Sequence, residues 1–133
     1  WLTFRTLTNH TWYRDNLVLL GDAAHPMTYT MGQGANTALE DAVTLAHHLA
    51  TAPTTDAALA RYTTDRAGRT AKIVKLSRMM GTVGQVRHPA AAWVRDRMMA
   101  VMGRLADPDK QNAAVFGWQP PGATVPGVRP EPR

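Results

Sequence analysis

The 133-residue chain predicts an α/β fold piece: the last strand of a parallel sheet, a long helix after it, two further helices and a disordered tail. Three observations carry that expectation. Leu17-Val18-Leu19-Leu20 is apolar without alternation, as a strand covered on both faces should be, and Gly21 ends it. From Gln33 to about Thr51, apolar residues recur at spacings of three and four. After Gly117, five of the nine prolines crowd into "WQPPGATVPGVRPEPR".

The elements follow in order. Leu2–Thr8 is short and loosely alternating, as in an edge or connecting strand. Trp12-Tyr13-Arg14-Asp15-Asn16 reads as a turn leading into Leu17–Leu20. Pro26 to Met31 must be irregular, since Pro and Gly bound it. The first helix would turn Ala35, Ala38, Leu39, Ala42, Leu45, Ala46 and Leu49 towards a sheet or ligand as one stripe, and Pro53 ends it. Thr55-Asp56 can cap a second helix running to about Met80, broken by Gly81 and Gly84, with Leu59, Tyr62, Ile73, Leu76 and Met80 inside. Pro89 suits the first position of a third helix ending near Leu105. The chain thus divides into residues 1–52, 53–106 and a Pro/Gly-rich tail, 107–133.

Composition removes several classes. The length allows one domain at most. The start at Trp1, without Met or a signal-peptide pattern, reads as part of a longer chain. No apolar run approaches a membrane span, so no membrane partner is expected. With no Cys, disulfide scaffolds and thiolate metal sites are excluded, which suits the cytoplasm. The net charge of +5 is uneven: residues 1–60 hold two arginines against five carboxylates, residues 61–110 eleven Lys/Arg against four. Those cations wind around the second helix instead of lining one stripe and lack interleaved aromatics, so nucleic acid is not expected as a partner. His47 and His48 are adjacent on a helix and point about 100° apart, a poor metal pair. Ser77, the sole serine, has no local Asp-His partner. Arg66, one turn from Tyr62, either meets Glu40 or Asp41 or snorkels to solvent.

The chemistry concentrates in "NLVLLGDAAHPMTYTMGQGANTALEDA", residues 16–42. A buried strand ending in Gly21-Asp22 puts a carboxylate at the strand's carboxyl end, where open α/β sheets bind ligands. It either accepts from ligand hydroxyls or ties down its own loop. Gly32-Gln33-Gly34-Ala35-Asn36 opens a helix with two glycines. Free N–H groups and the positive end of the dipole there favour negative charge, unless the glycines serve only a tight turn.

"GDAAHPM" followed by "GQGANTALEDA" resembles the second flavin-binding motif of the para-hydroxybenzoate-hydroxylase-type, FAD-dependent aromatic monooxygenases, closely over Leu17–Leu49 and more weakly through "RYTTDRAGRTAKIVKLSRMMG". The resemblance implies the C-terminal part of a Rossmann-like, glutathione-reductase-type FAD-binding domain. It implies FAD as cofactor and NAD(P)H as reductant. O2 and a small aromatic or polyketide-like molecule, which is hydroxylated or epoxidised, would be the other reactants. Asp22 would hold the ribitol hydroxyls, and the helix start at Gly32–Asn36 would point its N–H groups at the pyrimidine edge of the ring. Gly21, Asp22, Pro26, Gly32, Gln33, Gly34, Ala35 and Asn36 are the implied cofactor-binding set. No side chain is assigned a catalytic role, His25 being structural in the motif, and no metal is implied.

Two departures stand out. The family usually has Pro where this chain has Tyr29, which adds a donor and a ring and is placed instead at the substrate pocket. No G-x-G-x-x-G unit for the ADP moiety occurs, so an N-terminal part of the same enzyme is expected elsewhere and this portion alone would be inactive. The competing reading is a non-enzymatic remnant or helical interaction module that no longer holds FAD.

Overall fold

The structure, a computed structural model, describes residues 7–123. Most of the expected edge strand at Leu2–Thr8 and the end of the tail lie outside the described residues.

Among the described residues two strands form, each two residues long. β1 (Tyr13–Arg14) pairs antiparallel with β2 (Leu17–Val18), with Tyr13 opposite Val18 and Arg14 opposite Leu17. That register leaves Asp15 and Asn16 as the loop, and Asp15 supplies the left-handed backbone such a loop requires, at φ 52°. The expected parallel strand over Leu17–Leu20 is therefore seen as half of a hairpin. A parallel neighbour needs a crossover of about a dozen residues or more, whereas Tyr13–Arg14 lies close enough in sequence to pair through a tight turn. Coverage differs too: Leu17 is 69% exposed and Leu20 is exposed, while Val18 and Leu19 are only half-buried.

Four helices follow. α1 (Gly34–Thr51) and α2 (Thr55–Gly84) are joined by three residues, which makes them antiparallel neighbours. Thr54, not Thr55-Asp56, is the cap of α2: its Oγ1 accepts the Ala57 N–H at 3.2 Å, and Asp56 sits in the first turn where the dipole favours it. The helix runs through Gly81 and ends only at Gly84. A helical glycine costs about 1 kcal/mol relative to Ala, which weakens a helix without stopping it. α3 (Pro89–Leu105) has the expected bounds, with Pro89 in the first turn. α4 (Pro108–Phe116) lies inside the segment expected to be a disordered tail. Its start is explicit: Asp107 Oδ1 accepts the N–H groups of Asp109 (3.0 Å) and Lys110 (3.4 Å), and Pro108 takes an early helical position.

The apolar core is small: Trp12, Ala24, Leu45, Leu59 and Tyr62, with Tyr13, Val18, Leu19 and Ala67 against it. The Trp12 ring lies 5.9 Å from that of Tyr62, whose hydroxyl donates to the Leu19 carbonyl at 3.1 Å. On α2, Leu59, Tyr62 and Ile73 face inward as expected, but Leu76 is half-buried and Met80 is exposed. The stripe expected to be buried on α1 is largely outside. Only Leu45 of it is buried, while Leu39, Ala42, Ala46 and Leu49 are exposed. α1 instead turns Thr37, Asp41, Thr44 and His48 towards α2. A cation on α2 is the reason: Arg66, 1% exposed, is neutralised there by Asp41.

Candidate functional site

Asp41 is fully buried and accepts three hydrogen bonds. Its Oδ2 accepts the Gly21 N–H at 2.9 Å and His25 Nε2 at 2.5 Å, and its Oδ1 accepts Arg66 Nε at 2.7 Å. An ionised carboxylate only accepts, so His25 presents Nε2–H to it. Burial alone would raise the Asp41 carboxyl, but the hydrogen bonds from His25, Arg66 and Gly21 outweigh it and hold the pKa below the ordinary 3.8. Burial, with the Asp41 charge nearby, pushes the Tyr62 phenol well above its ordinary value, Arg66 opposing. Arg66 also reaches Glu40 Oε2 at 2.7 Å, so it meets both acidic candidates. Arg69 grips Glu40 through Nε (2.7 Å) and Nη2 (2.8 Å) and donates to the Val115 carbonyl at 2.9 Å. Trp118 lies over Arg66, 5.7 Å from guanidinium carbon to ring centroid. Thus one charge cluster, buried at Asp41 and Arg66, holds together the Gly21 turn, the face of α1, the middle of α2 and the end of α4 with Trp118 after it.

That cluster fixes the next residue. Gly21 adopts φ +58°, and a Cβ there would stand 3.0 Å from the Ala38 Cβ, so only glycine lets the turn close on α1. Asp22 follows in the 3-10 turn Gly21–Ala23. Its carboxylate is exposed and takes no hydrogen bond among the described residues. Across from it is the start of α1: a Cβ on Gly34 would lie 3.7 Å from Asp22 Oδ1. The described contacts show no side-chain cap on this helix. Gln33, the residue before it, turns its amide to the Met31 carbonyl (3.4 Å) and to Asn36 (3.3 Å). Gln33 therefore leaves the first N–H groups of α1 without a cap from its own side chain.

Between Asp22 and α1 runs a groove of about 640 Å³, walled by Tyr29, Gly32, Gly34 and Ala35 and, from the end of α2, by Gly81 and Gly84. Gly32 has φ +62°, and a Cβ there would meet nothing within 4 Å, so its role is the left-handed bend that ends the turn Tyr29–Met31. The sequence-derived set divides here. Asp22, Tyr29, Gly32, Gly34 and Ala35 meet at this groove. Gly21 is buried with its N–H committed to Asp41. Pro26 borders a second cavity of about 580 Å³ beside Trp12 and His25, and Gln33 and Asn36 face a smaller one with Val115 and Trp118.

Sequence reasoning missed the groove's far wall, Gly81, Gly84 and Gln85, because it ended α2 too early. It also set Ser77 aside as a nucleophile without asking what else a sole buried serine does. Ser77 bonds Thr28 and Thr30 of the loop around Tyr29. His48 is engaged by Asp65 at 2.8 Å. Among the described residues no helix is long and apolar enough to cross a membrane.

Known proteins share this geometry's sequence. A family profile described as an FAD binding domain matches residues 2–77. The chain is 47% identical over 91 residues to an aurachin C monooxygenase/isomerase from Stigmatella aurantiaca, covering 68% of this chain and 24% of that one. It is 51% identical over 73 residues to a 3-hydroxybenzoate 6-hydroxylase from Klebsiella oxytoca, covering 54% and 18%. To a 3-hydroxy-4-methyl-anthranilyl-[aryl-carrier protein] 5-monooxygenase from Streptosporangium sibiricum it is 37% identical over 119 residues, covering 90% and 31%. The chain thus spans between about a fifth and a third of the length of these curated relatives.

Proposed function

This chain belongs to the FAD binding domain family, and we propose that it forms the flavin-holding part of an FAD-dependent monooxygenase. The longer enzyme uses NAD(P)H and O2 to oxygenate a small aromatic or polyketide-like molecule in the cytoplasm. One observation carries the reading: an uncommitted carboxylate, Asp22, faces the uncapped start of α1 across a position where glycine leaves out a Cβ. Acceptor oxygens on one side and N–H donors on the other match a ligand with hydroxyls at one end and negative charge or carbonyls at the other. FAD has both.

When bound, FAD supplies the electron transfer and oxygen activation. The chain's own residues bind and orient. Asp22 accepts from ribitol hydroxyls. The N–H groups of Gly34, Ala35 and Asn36 would hold the pyrimidine edge of the ring, where the helix dipole favours negative charge. Gly32 and Gly34 keep the backbone close to the ring, and Gly21, Pro26 and Gln33 shape the turns on either side. Tyr29 borders the substrate side and helps to exclude water.

In the longer protein, residues 1–52 would complete a Rossmann-like FAD domain, with Leu17–Leu20 extending into its sheet. The open α1 residues Leu39, Val43 and Leu49 support this, since they form a face that such a sheet covers. Residues 53–106 would be the C-terminal helices, and residues 107–133 the closing segment. The aromatic substrate class draws on the relatives named for 3-hydroxybenzoate and an anthranilyl group. Against the remnant reading stands the start of α1, which Gln33, the residue before it, leaves uncapped.

The test is flavin retention. In the full-length protein Asp22→Ala should weaken FAD binding by about 1.5–3 kcal/mol, the value of a charged hydrogen bond, with folding little changed. The flavin-to-protein ratio after purification measures it. Equal ratios for both proteins would remove Asp22 from the site.

A further inference from the structure

Thr28, Thr30 and Ser77 form a closed hydroxyl ring between the groove's loop and α2. Ser77 Oγ donates to the Thr28 carbonyl at 2.6 Å, and Thr30 Oγ1 donates to the Ser77 carbonyl at 2.9 Å. With those two protons committed, the Thr28 hydroxyl donates in turn, to Ser77 Oγ or Thr30 Oγ1, each at 2.8 Å. Every hydroxyl proton of the ring has an acceptor. Ser77 is fully buried. The loop's own backbone bond, Gly32 N–H to the Tyr29 carbonyl at 3.0 Å, closes a turn but anchors it to nothing else. One turn further along α2, Gly81 leaves the space that Thr30 occupies, a Cβ there lying 3.3 Å from Thr30 Oγ1. Tyr29 stands between the two threonines on the groove's rim, 81% exposed.

We infer that Ser77 is a positioning residue for the flavin groove: through the hydroxyl ring it sets where the Thr28–Thr30 loop, and Tyr29 with it, stands over the bound ring. The inference rests on the reading of this groove as the flavin site. It assigns Ser77 no contact with cofactor or substrate. Losing one net hydrogen bond of this ring shifts the loop's closed-to-open ratio by about 2- to 10-fold.

The full-length protein loaded with FAD is compared as wild type, Ser77→Ala, Thr30→Val and Thr30→Ser. Quenching of bound-flavin fluorescence by iodide reports how well the loop covers the ring, with FAD content and thermal midpoint measured beside it. Ser77→Ala and Thr30→Val should raise the quenching constant about 2- to 10-fold at unchanged FAD content, while Thr30→Ser, which keeps the hydroxyl, should match wild type. If Ser77→Ala fails to fold, the Thr30 pair, at an exposed position, decides. Wild-type quenching in Thr30→Val overturns the assignment, and so does a lower midpoint with unchanged quenching, since that makes the ring structural only. A wild-type protein that takes up no FAD overturns the functional reading itself, and is recognised without any variant.

Discussion

The α1–α2 interface and α3 invert each other. Between α1 and α2, buried Thr37 and Asp41 meet buried Arg66, and buried His48 meets Asp65. On α3, Val94, Met98, Val101, Met102 and Leu105 recur at helical spacing and are all exposed. Hydropathy alone would bury the second set and expose the first. The difference teaches what burial requires. A charge can be buried when partners of fixed geometry meet it, as Asp41 is met by Gly21, His25 and Arg66. An apolar stripe is buried only when another element presents a surface, and the tie from α3 to the end of α2 is polar, Arg95 reaching the Val83 and Val86 carbonyls at 3.4 and 3.3 Å.

The comparison breaks most easily at Asp41. Asp41→Ala leaves the buried Arg66 Nε without its carboxylate, with only Glu40 still paired to the guanidinium, and frees the Gly21 turn, so it should cost about 3 kcal/mol or more in urea denaturation. Leu105→Ala on α3, 81% exposed, should stay within about 0.5 kcal/mol. A reversal of that order would show that the stripe, not the charge cluster, carries stability. A sharper form removes both charges. Asp41→Leu with Arg66→Met should cost less than the sum of the single changes, because neither charge is left unpaired.

Gly21→Ala comes next. The added Cβ meets both the left-handed backbone and the Ala38 Cβ 3.0 Å away, so a loss of about 1–2 kcal/mol is expected. Since the same turn carries Asp22, FAD retention should fall with it. A stable Gly21→Ala protein with full flavin content would detach the cluster from the site.

A smaller effect is set by pH. Asp41 titrates lower in the folded state than its ordinary 3.8. Its contribution is therefore complete above that value and is lost as pH falls from there through the lower folded pKa. Tyr62 acts at the other end: its phenol is raised, so stability is complete below its ordinary value near 10 and is lost as pH rises beyond it. Urea midpoints across pH should show both shoulders, with the acid one reduced in Asp41→Asn. An acid shoulder of equal size in that variant would assign it to other carboxylates.

Much of this was legible in residues that act through their neighbours in sequence. Pro89 announced α3, and the spacing of Gly21-Asp22 to Gly32 and Gly34 announced the groove. What was illegible depends on contacts across long separations. Nothing local distinguishes Leu39 from Leu45 on α1, yet α2 covers only the second, because Arg66 draws the Asp41 side of the helix inward. Leu17–Leu20 has the composition of a covered strand, but composition does not say which strand lies beside it. Asp107-Pro108 was a readable helix start that the prolines after it obscured. The Ser77 ring joins residues 47 and 49 positions apart and has no local signature.

The central claim is that the polar cluster fixes the Gly21 turn, and Asp22 with it, beside the start of α1, where the flavin is proposed to bind, and Gly34→Val tests it most directly. Gly34 is not in the left-handed region, and the nearest atom to a Cβ there is Asp22 Oδ1 at 3.7 Å. Valine should therefore leave the cofactor-free protein as stable as wild type. It should intrude where the ring lies, weakening FAD binding by about 1–3 kcal/mol, the usual cost of overpacking. Thermal midpoint without cofactor and FAD dissociation constant, measured on the full-length protein and this variant, separate the outcomes. A held midpoint with weakened FAD binding is the predicted result, and undiminished FAD affinity in Gly34→Val would contradict it.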